Sequence, residues 1–309
     1  MANILEVQGV TRSFGSLRAL NDVTWHVPTR GIHGLVGPNG AGKTTLYGIV
    51  CGFLPADSGT IRIGGKEVTT SVPPEAGIVG VLPQDGMLPE HLPVGVTLTH
   101  YGQLGGLDKK TAESEMRRVL ELVGLEDAQG KKPKTLSHGM FKRVAIAQAF
   151  IGRPRLVLLD EPTAGLDPNA AREIRGLLRD LRGEGAIVVS SHNLAEVEDL
   201  CDTVAILDSG SVVRHDSMAD VVGEAASIDV RLVGEPTDAL KSALGALSFV
   251  TSVSYNQQTD RMRVDFDASR TVPLEACKEV VGVLCATQSA FIELQVGSSL
   301  EDRFLEETA

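Results

Sequence analysis

The chain has 309 residues, 42% hydrophobic and 22% charged, which excludes a disordered chain and gives length enough for one or two cored domains. Its formal net charge of -11 excludes broad electrostatic attraction to nucleic acid or to an anionic lipid surface, so any bound anion must be held by local geometry. The chain lacks both a run of about 18 uninterrupted apolar residues and a charged, then apolar leader, so the expected location is the cytosol.

In chain order, the first stretch with chemical content is GPNGAGKTT, residues 37–45, which fits G-x-x-x-x-G-K-[ST]. The apolar run IHGLV before it predicts a strand, and TTLYGIVCGF after it predicts a helix. A polyphosphate needs many donors converging on it with no side chains in the way. Gly37, Gly40 and Gly42, with Pro38, Asn39 and Ala41 between them, let backbone N–H groups point inward at a helix N-terminus, where the dipole favours negative charge. Lys43 is expected to reach the β- and γ-phosphates, Thr44 to ligate Mg²⁺, and Thr45 to donate on the α-phosphate side. A nucleoside triphosphate and Mg²⁺ are therefore expected here, and the family resemblance given below implies that the nucleotide is ATP.

Proline-broken apolar residues around Met87, Leu88 and Leu92 come next and are expected to be exposed if they receive a partner. An amphipathic helix follows, with Met116, Leu120 and Val123 at helical spacing. LSHGM, residues 136–140, leads into MFKRVAIAQAF, an alanine-rich segment that predicts a helix.

RLVLLDEPTAGLD, residues 155–167, contains four consecutive apolar residues, enough for a strand buried on both faces, and ends that run in Asp160 and Glu161. Strand alternation predicts that the two carboxylates point in opposite directions and serve different tasks. Asp160 is expected to hold Mg²⁺ through its water shell, and Glu161 to polarise an attacking water as general base. AIVVSSH predicts a further strand ending at His192. The four cysteines, Cys51, Cys201, Cys277 and Cys285, lack metal-ligand spacing and read as reduced structural thiols.

Beyond about residue 223 the composition changes. SIDVRLVG, PTDALKSALGAL, VTSVSYNQQTDRMRVDF, TVPLEACKEVVGVLCA and AFIELQVG predict strand, helix, two strands around a QQTD turn, helix and strand, the order of a small ferredoxin-like α+β unit. Its 14 acids against 7 bases argue against nucleic-acid binding.

With LSHGM upstream of LVLLDEP, AGLD downstream, and IVVSSH on a later strand, residues 1–223 resemble the nucleotide-binding subunit of an ABC transporter. The resemblance implies an α/β P-loop NTPase fold of the ABC type, with a helical subdomain at about residues 86–150 and the α+β unit at 224–309. It implies that LSHGM, in place of the usual LSGGQ, presents Ser137 and Gly139 at a helix N-terminus to the γ-phosphate held by another subunit. His138 and Met140 depart from that pattern.

By the same resemblance Gln84 closes on Mg²⁺ and the attacking water and links to the membrane partner. His192 is the switch histidine, donating to the γ-phosphate and holding Glu161 and water in line. Asp167 belongs to the loop that crosses the dimer interface, and Phe14 stacks on adenine. The partners implied are a separate membrane permease and a second ATPase subunit, identical or unlike, with the assembly at the cytoplasmic face of the membrane. SLEDRFLEETA resembles the tail of export subunits of the drug and antibiotic efflux type, which implies an exporter. An importer subunit, a non-transport ABC ATPase acting on ribosomes or DNA, and a binding module with a silent ATPase are the alternatives.

Overall fold

The computed structural model describes residues 2–84, 86–222, 227–257, 259–297, 300 and 304. They divide into two compact units, one ending at Asp216 and the other beginning at Ser217. The expected boundary at 223/224 and most of the tail SLEDRFLEETA lie outside the described residues.

The strands of the first unit are β1 (Asn3–Phe14), β2 (Leu17–Pro28), β3 (Gly31–Val36), β4 (Ser58–Ile63), β5 (Lys66–Glu67), β6 (Val79–Leu82), β7 (Leu156–Asp160), β8 (Ala186–Ser191), β9 (Thr203–Asp208) and β10 (Ser211–Ser217). Its helices are α1 (Lys43–Val50), α2 (Val94–Leu104), α3 (Lys109–Leu122), α4 (His138–Ala149), α5 (Pro168–Asp180) and α6 (Leu194–Leu200). An antiparallel sheet runs β2-β1-β4-β5, and a six-stranded sheet runs β10-β9-β3-β8-β7-β6. The pairs β3 with β8, β3 with β9, β6 with β7 and β7 with β8 are all parallel.

Sequence pattern separates the two sheets. In β2, Val23, Trp25 and Val27 are buried while Thr24 and His26 are exposed, the period-2 signature of a sheet with one wet face. By contrast, β7 and β8 are buried at every residue, as parallel strands covered on both faces must be. One core joins the sheets: Leu5, Trp25, Leu46, Val50, Leu158 and Val188 belong to a single cluster, with α1 packed between antiparallel and parallel layers. The carboxyl ends of β3, β7 and β8 thus reach one edge, where crevices of open α/β sheets take their ligands.

α3 buries Ala112, Met116, Val119 and Leu120, with Val123 at its C-cap, as the helical spacing predicts. Each of these side chains larger than alanine contributes roughly 1.5–3 kcal/mol of burial. Asp108 starts the helix by accepting from the Thr111 N–H at 3.0 Å. The approach to α2 departs from expectation: Met87 is exposed, but Leu88 is buried and Leu92 half-buried. Leu88 therefore packs inside its own chain and offers nothing to a partner. α4 begins at His138, two residues before the expected MFKRVAIAQAF, because Ser137 caps it by accepting from the Met140 N–H at 3.3 Å.

The second unit opens with the short α7 (Met218–Val222), followed by β11 (Ser227–Leu232), α8 (Asp238–Gly245), β12 (Val250–Asn256), β13 (Arg261–Phe266), α9 (Pro273–Ala286) and β14 (Phe291–Val296). Its sheet runs β12-β13-β11-β14 with every pairing antiparallel, which is the ferredoxin-like order predicted from the sequence. Ile228, Val230, Met262 and Val264 face Leu240, Leu244, Val280 and Leu284 of the two helices in one cluster. Cys51 and Cys201 are buried, and burial pushes the Cys51 thiol up to about 12. Cys285 is exposed, so the structural reading does not extend to it. Among the described residues, no helix is long and apolar enough to cross a membrane.

Candidate active site

The loop after β3 turns into α1 through two left-handed glycines, Gly40 at φ 87° and Gly42 at φ 110°. A Cβ on Gly42 would lie 2.6 Å from the Ala19 carbonyl, and one on Gly37 would collide with that of Leu207, so both positions need glycine for close approach. The Lys43 ammonium donates to the carbonyls of Gly37 at 2.6 Å and Pro38 at 3.1 Å, folding over the loop. Burial lowers its pKa, against the opposing pull of Glu161 and Asp160.

Asp160 closes β7 and Glu161 is the first residue past it. The Thr44 hydroxyl donates to Asp160 Oδ2 at 3.1 Å, and the Ser190 hydroxyl, from β8, donates to Asp160 Oδ1. Glu161 has left-handed backbone, φ 50°, while buried. Alternation therefore does not govern it: both carboxylates turn to one crevice and line the same cavity, which corrects the opposite directions expected from strand geometry. The twisted peptide is pinned on both sides. Its N–H donates to Ser190 Oγ at 3.1 Å and to the Ser190 carbonyl at 3.2 Å, and its carbonyl accepts from Lys142 Nζ of α4 at 3.3 Å. His192 Nδ1–H donates to both Glu161 carboxylate oxygens, at 2.9 and 3.0 Å.

A cavity of about 700 Å³ is lined by Phe14, Asn39, Gly40, Gly42, Lys43, Thr44, Thr45, Gln84, Asp160 and Glu161. Residues anticipated from four separate stretches of sequence thus meet at one place. Gly37, Pro38 and Ala41 belong to the loop but do not line the cavity. His192 reaches it through Glu161 and itself lines an adjoining cavity of about 520 Å³ with Gly165, Leu166 and Pro168. Ser137, Gly139 and Asp167 line neither. Ser137 caps α4, Gly139 has open space around its Cα, and Asp167 caps α5 by accepting from the N–H groups of Asn169 at 3.0 Å and Ala170 at 3.1 Å.

Four positioning contacts were not anticipated. Ser190 and Lys142 hold Glu161 as described. In addition the Thr163 hydroxyl donates to Glu196 Oε2 at 2.6 Å, and Arg175 of α5 pairs with Glu196 Oε1 at 2.9 Å, tying the loop after Glu161 to α6. Two serines inside the apolar run AIVVSSH are the one signal that pointed to Ser190, because a buried hydroxyl needs a partner. Among the described residues no group of three or more His, Cys, Asp or Glu is arranged to hold a metal ion.

The family model described as ABC transporter matches residues 20–164. The ABC transporter ATP-binding protein YdbJ of Bacillus subtilis (strain 168) is 33% identical over 309 residues, covering 99% of this chain and 95% of the relative. This chain belongs to the ATP-binding subunits of ABC transporters. As an ABC subunit it binds ATP and hydrolyses it. Another relative, the linearmycin resistance ATP-binding protein LnrL of the same organism, is 29% identical over 270 residues, 86% of each chain. Among solved structures, cbiO1 from Clostridium perfringens, part of the ABC transporter complex cbiONQ, superposes on this ABC subunit with TM-score 0.65. That match has 26% identity and covers 72% of this chain and 91% of that one.

Proposed function

We propose that this ABC subunit powers a separate membrane permease that exports drugs, antibiotics or other small molecules, working at the cytoplasmic face of the membrane. The name of LnrL, a resistance protein, supports the outward direction. The observation that carries the hydrolytic part is the imidazole of His192 clamped on both oxygens of Glu161 at the edge of the phosphate-loop cavity.

In this reading the loop of Gly37, Pro38, Asn39, Gly40, Ala41 and Gly42 turns backbone N–H groups to the triphosphate at the head of α1, and Thr45 adds its hydroxyl. Lys43 exchanges the carbonyls of Gly37 and Pro38 for β- and γ-phosphate oxygens. Glu161 takes the proton of the attacking water. With His192 Nδ1–H committed to that carboxylate, the other ring nitrogen, Nε2, donates to the γ-phosphate when it carries the ring's second proton. Phe14 stacks on the base.

Magnesium fits the donor set: Thr44, Asp160 and Gln84 offer oxygen ligands around one cavity, and one carboxylate with several waters suits this ion. When bound it neutralises charge on the triphosphate.

Ser137 and Gly139 lie away from the cavity, so we assign them to the site of a second ATPase subunit, in a homodimer or with an unlike partner. Asp167, by capping α5, shapes the loop that meets that subunit.

A tagged chain recovered from detergent-solubilised native membranes, with copurifying proteins identified by mass spectrometry, tests the proposal. A polytopic protein in roughly equal amount is expected. Recovery of ribosomal or DNA-repair proteins in its place would overturn the transport reading.

A further inference from the structure

The cavity wall that carries Phe14 has a second layer behind it. Phe14 ends β1, is 43% exposed and lines the cavity with Lys43 and Thr44. Arg12 does not line that cavity, yet its guanidinium carbon lies 4.7 Å from the centroid of the Phe14 ring. One face of the ring is thus covered by a cation. The guanidinium in turn is anchored: Arg12 Nη1 donates to Asp57 Oδ1 at 2.8 Å. The other carboxylate oxygen of Asp57 accepts from the Ser13 N–H at 2.7 Å, and the Asp57 N–H donates to the Thr11 carbonyl at 2.8 Å. A single acid just before β4 therefore fixes both the backbone and the side chain immediately preceding the ring.

Arg12 Nε is buried without a hydrogen-bond partner among the described residues. Leaving a guanidinium N–H unpaired is unfavourable, and the favourable contact that accompanies this posture is the aromatic face. A terminal phenylalanine with this much exposure would otherwise sample several rotamers, and a stacking platform that must first be ordered binds less tightly than one already set.

We infer that Arg12, locked by Asp57, is a positioning residue for the nucleotide base: it backs the outer face of Phe14 and holds the inner face ready to stack on a purine. The inference deepens the proposed function and rests on its reading of Phe14 as the stacking platform. It predicts a contribution to recognition of the base with none to recognition of the phosphates.

Calorimetric titration of the full chain with Mg-ATP and, separately, with magnesium tripolyphosphate tests it. Phe14→Ala should weaken ATP by about tenfold, the range of base stacking on an aromatic side chain. Arg12→Leu should weaken ATP by about two- to fivefold, Arg12→Lys by less because the cation is kept, and tripolyphosphate should bind all of them equally. If Phe14→Ala loses affinity while Arg12→Leu binds ATP like the unaltered chain, the role of Arg12 is overturned and stacking stands. If Phe14→Ala binds ATP normally, the stacking reading fails and takes this inference with it. Equal weakening of ATP and tripolyphosphate in Arg12→Leu would mean that the residue only packs the loop, which also overturns the inference. Should Arg12→Leu not fold, Asp57→Asn decides: a loss confined to ATP supports the anchor, and unchanged affinity refutes it.

Discussion

The two units of this chain bury polar groups in different ways. In the first, Lys43, Lys142, Asp160, Glu161 and Ser190 are all buried around one crevice, and a buried residue, Glu161, carries left-handed backbone. In the described part of the second, only Ser227 and Asp229 are buried polar residues, and the left-handed Asp260 and Gln288 sit in exposed positions. Both units obey the same packing rules, so the contrast is not one of fold quality. Burying charge costs free energy unless each group is paired, and the first unit accepts that cost at one edge of its sheet, where four separate segments pair one another. The second unit has a complete apolar core and no comparable cluster among its described residues.

The largest expected effect sharpens that contrast. Glu161→Gln keeps size and backbone but cannot take a proton, so phosphate release should fall by about 10²–10⁴-fold while ATP affinity, measured by titration, stays within about threefold. A variant that still turns over at a tenth of the original rate would remove Glu161 from the role of base. The next effect belongs to the second unit. Leu284 is fully buried beneath its sheet, and Leu284→Ala should lower that unit's stability by about 2–5 kcal/mol in a denaturant titration, with phosphate release per folded molecule unchanged. A matching fall in turnover would break the separation of chemistry from packing.

The smallest effect concerns pH. His215 on β10 meets His26 of β2 edge to face, with ring centroids 4.3 Å apart. Burial first, and then the charge of His26, push His215 down to about 4; Asp216 opposes the shift and His33 adds to it. The unfolded chain, with an ordinary histidine near 6.5, takes up the proton first. The stability associated with neutral His215 is therefore complete above about pH 6.5 and is lost as pH falls toward about 4. His215→Gln should flatten the fall of melting temperature over that interval, and an unchanged slope would assign it to other groups, His33 included, since burial lowers that residue too.

How much of this could be read in advance depended on whether the cause was local. GPNGAGKTT and LVLLDEP are set by glycine freedom, a helix start and a doubly buried strand, all written within a dozen residues, and both were legible. The ferredoxin-like order was legible for the same reason, since hairpin and helix periods alternate in plain sequence. Contacts across the sheet were not. Ser190 on Asp160, Lys142 on the Glu161 carbonyl and Glu196 on Thr163 join residues 19 to 33 positions apart, and no periodicity encodes which strands become neighbours. Leu88 shows the converse error: its proline-rich neighbourhood resembled an exposed segment, but an isolated apolar residue can turn inward once the chain around it is irregular. The backing of Phe14 by Arg12 lay only two residues away in sequence and was still hidden, because it depends on Asp57 arriving from the loop before β4.

The left-handed backbone at Glu161 also sets what a substitution there would trade. Glycine and asparagine settle at φ 50° more readily than glutamate, so conformational preference and chemical duty favour different residues there. A Glu161→Asn chain would give up the carboxylate of the proposed base and gain backbone ease in exchange.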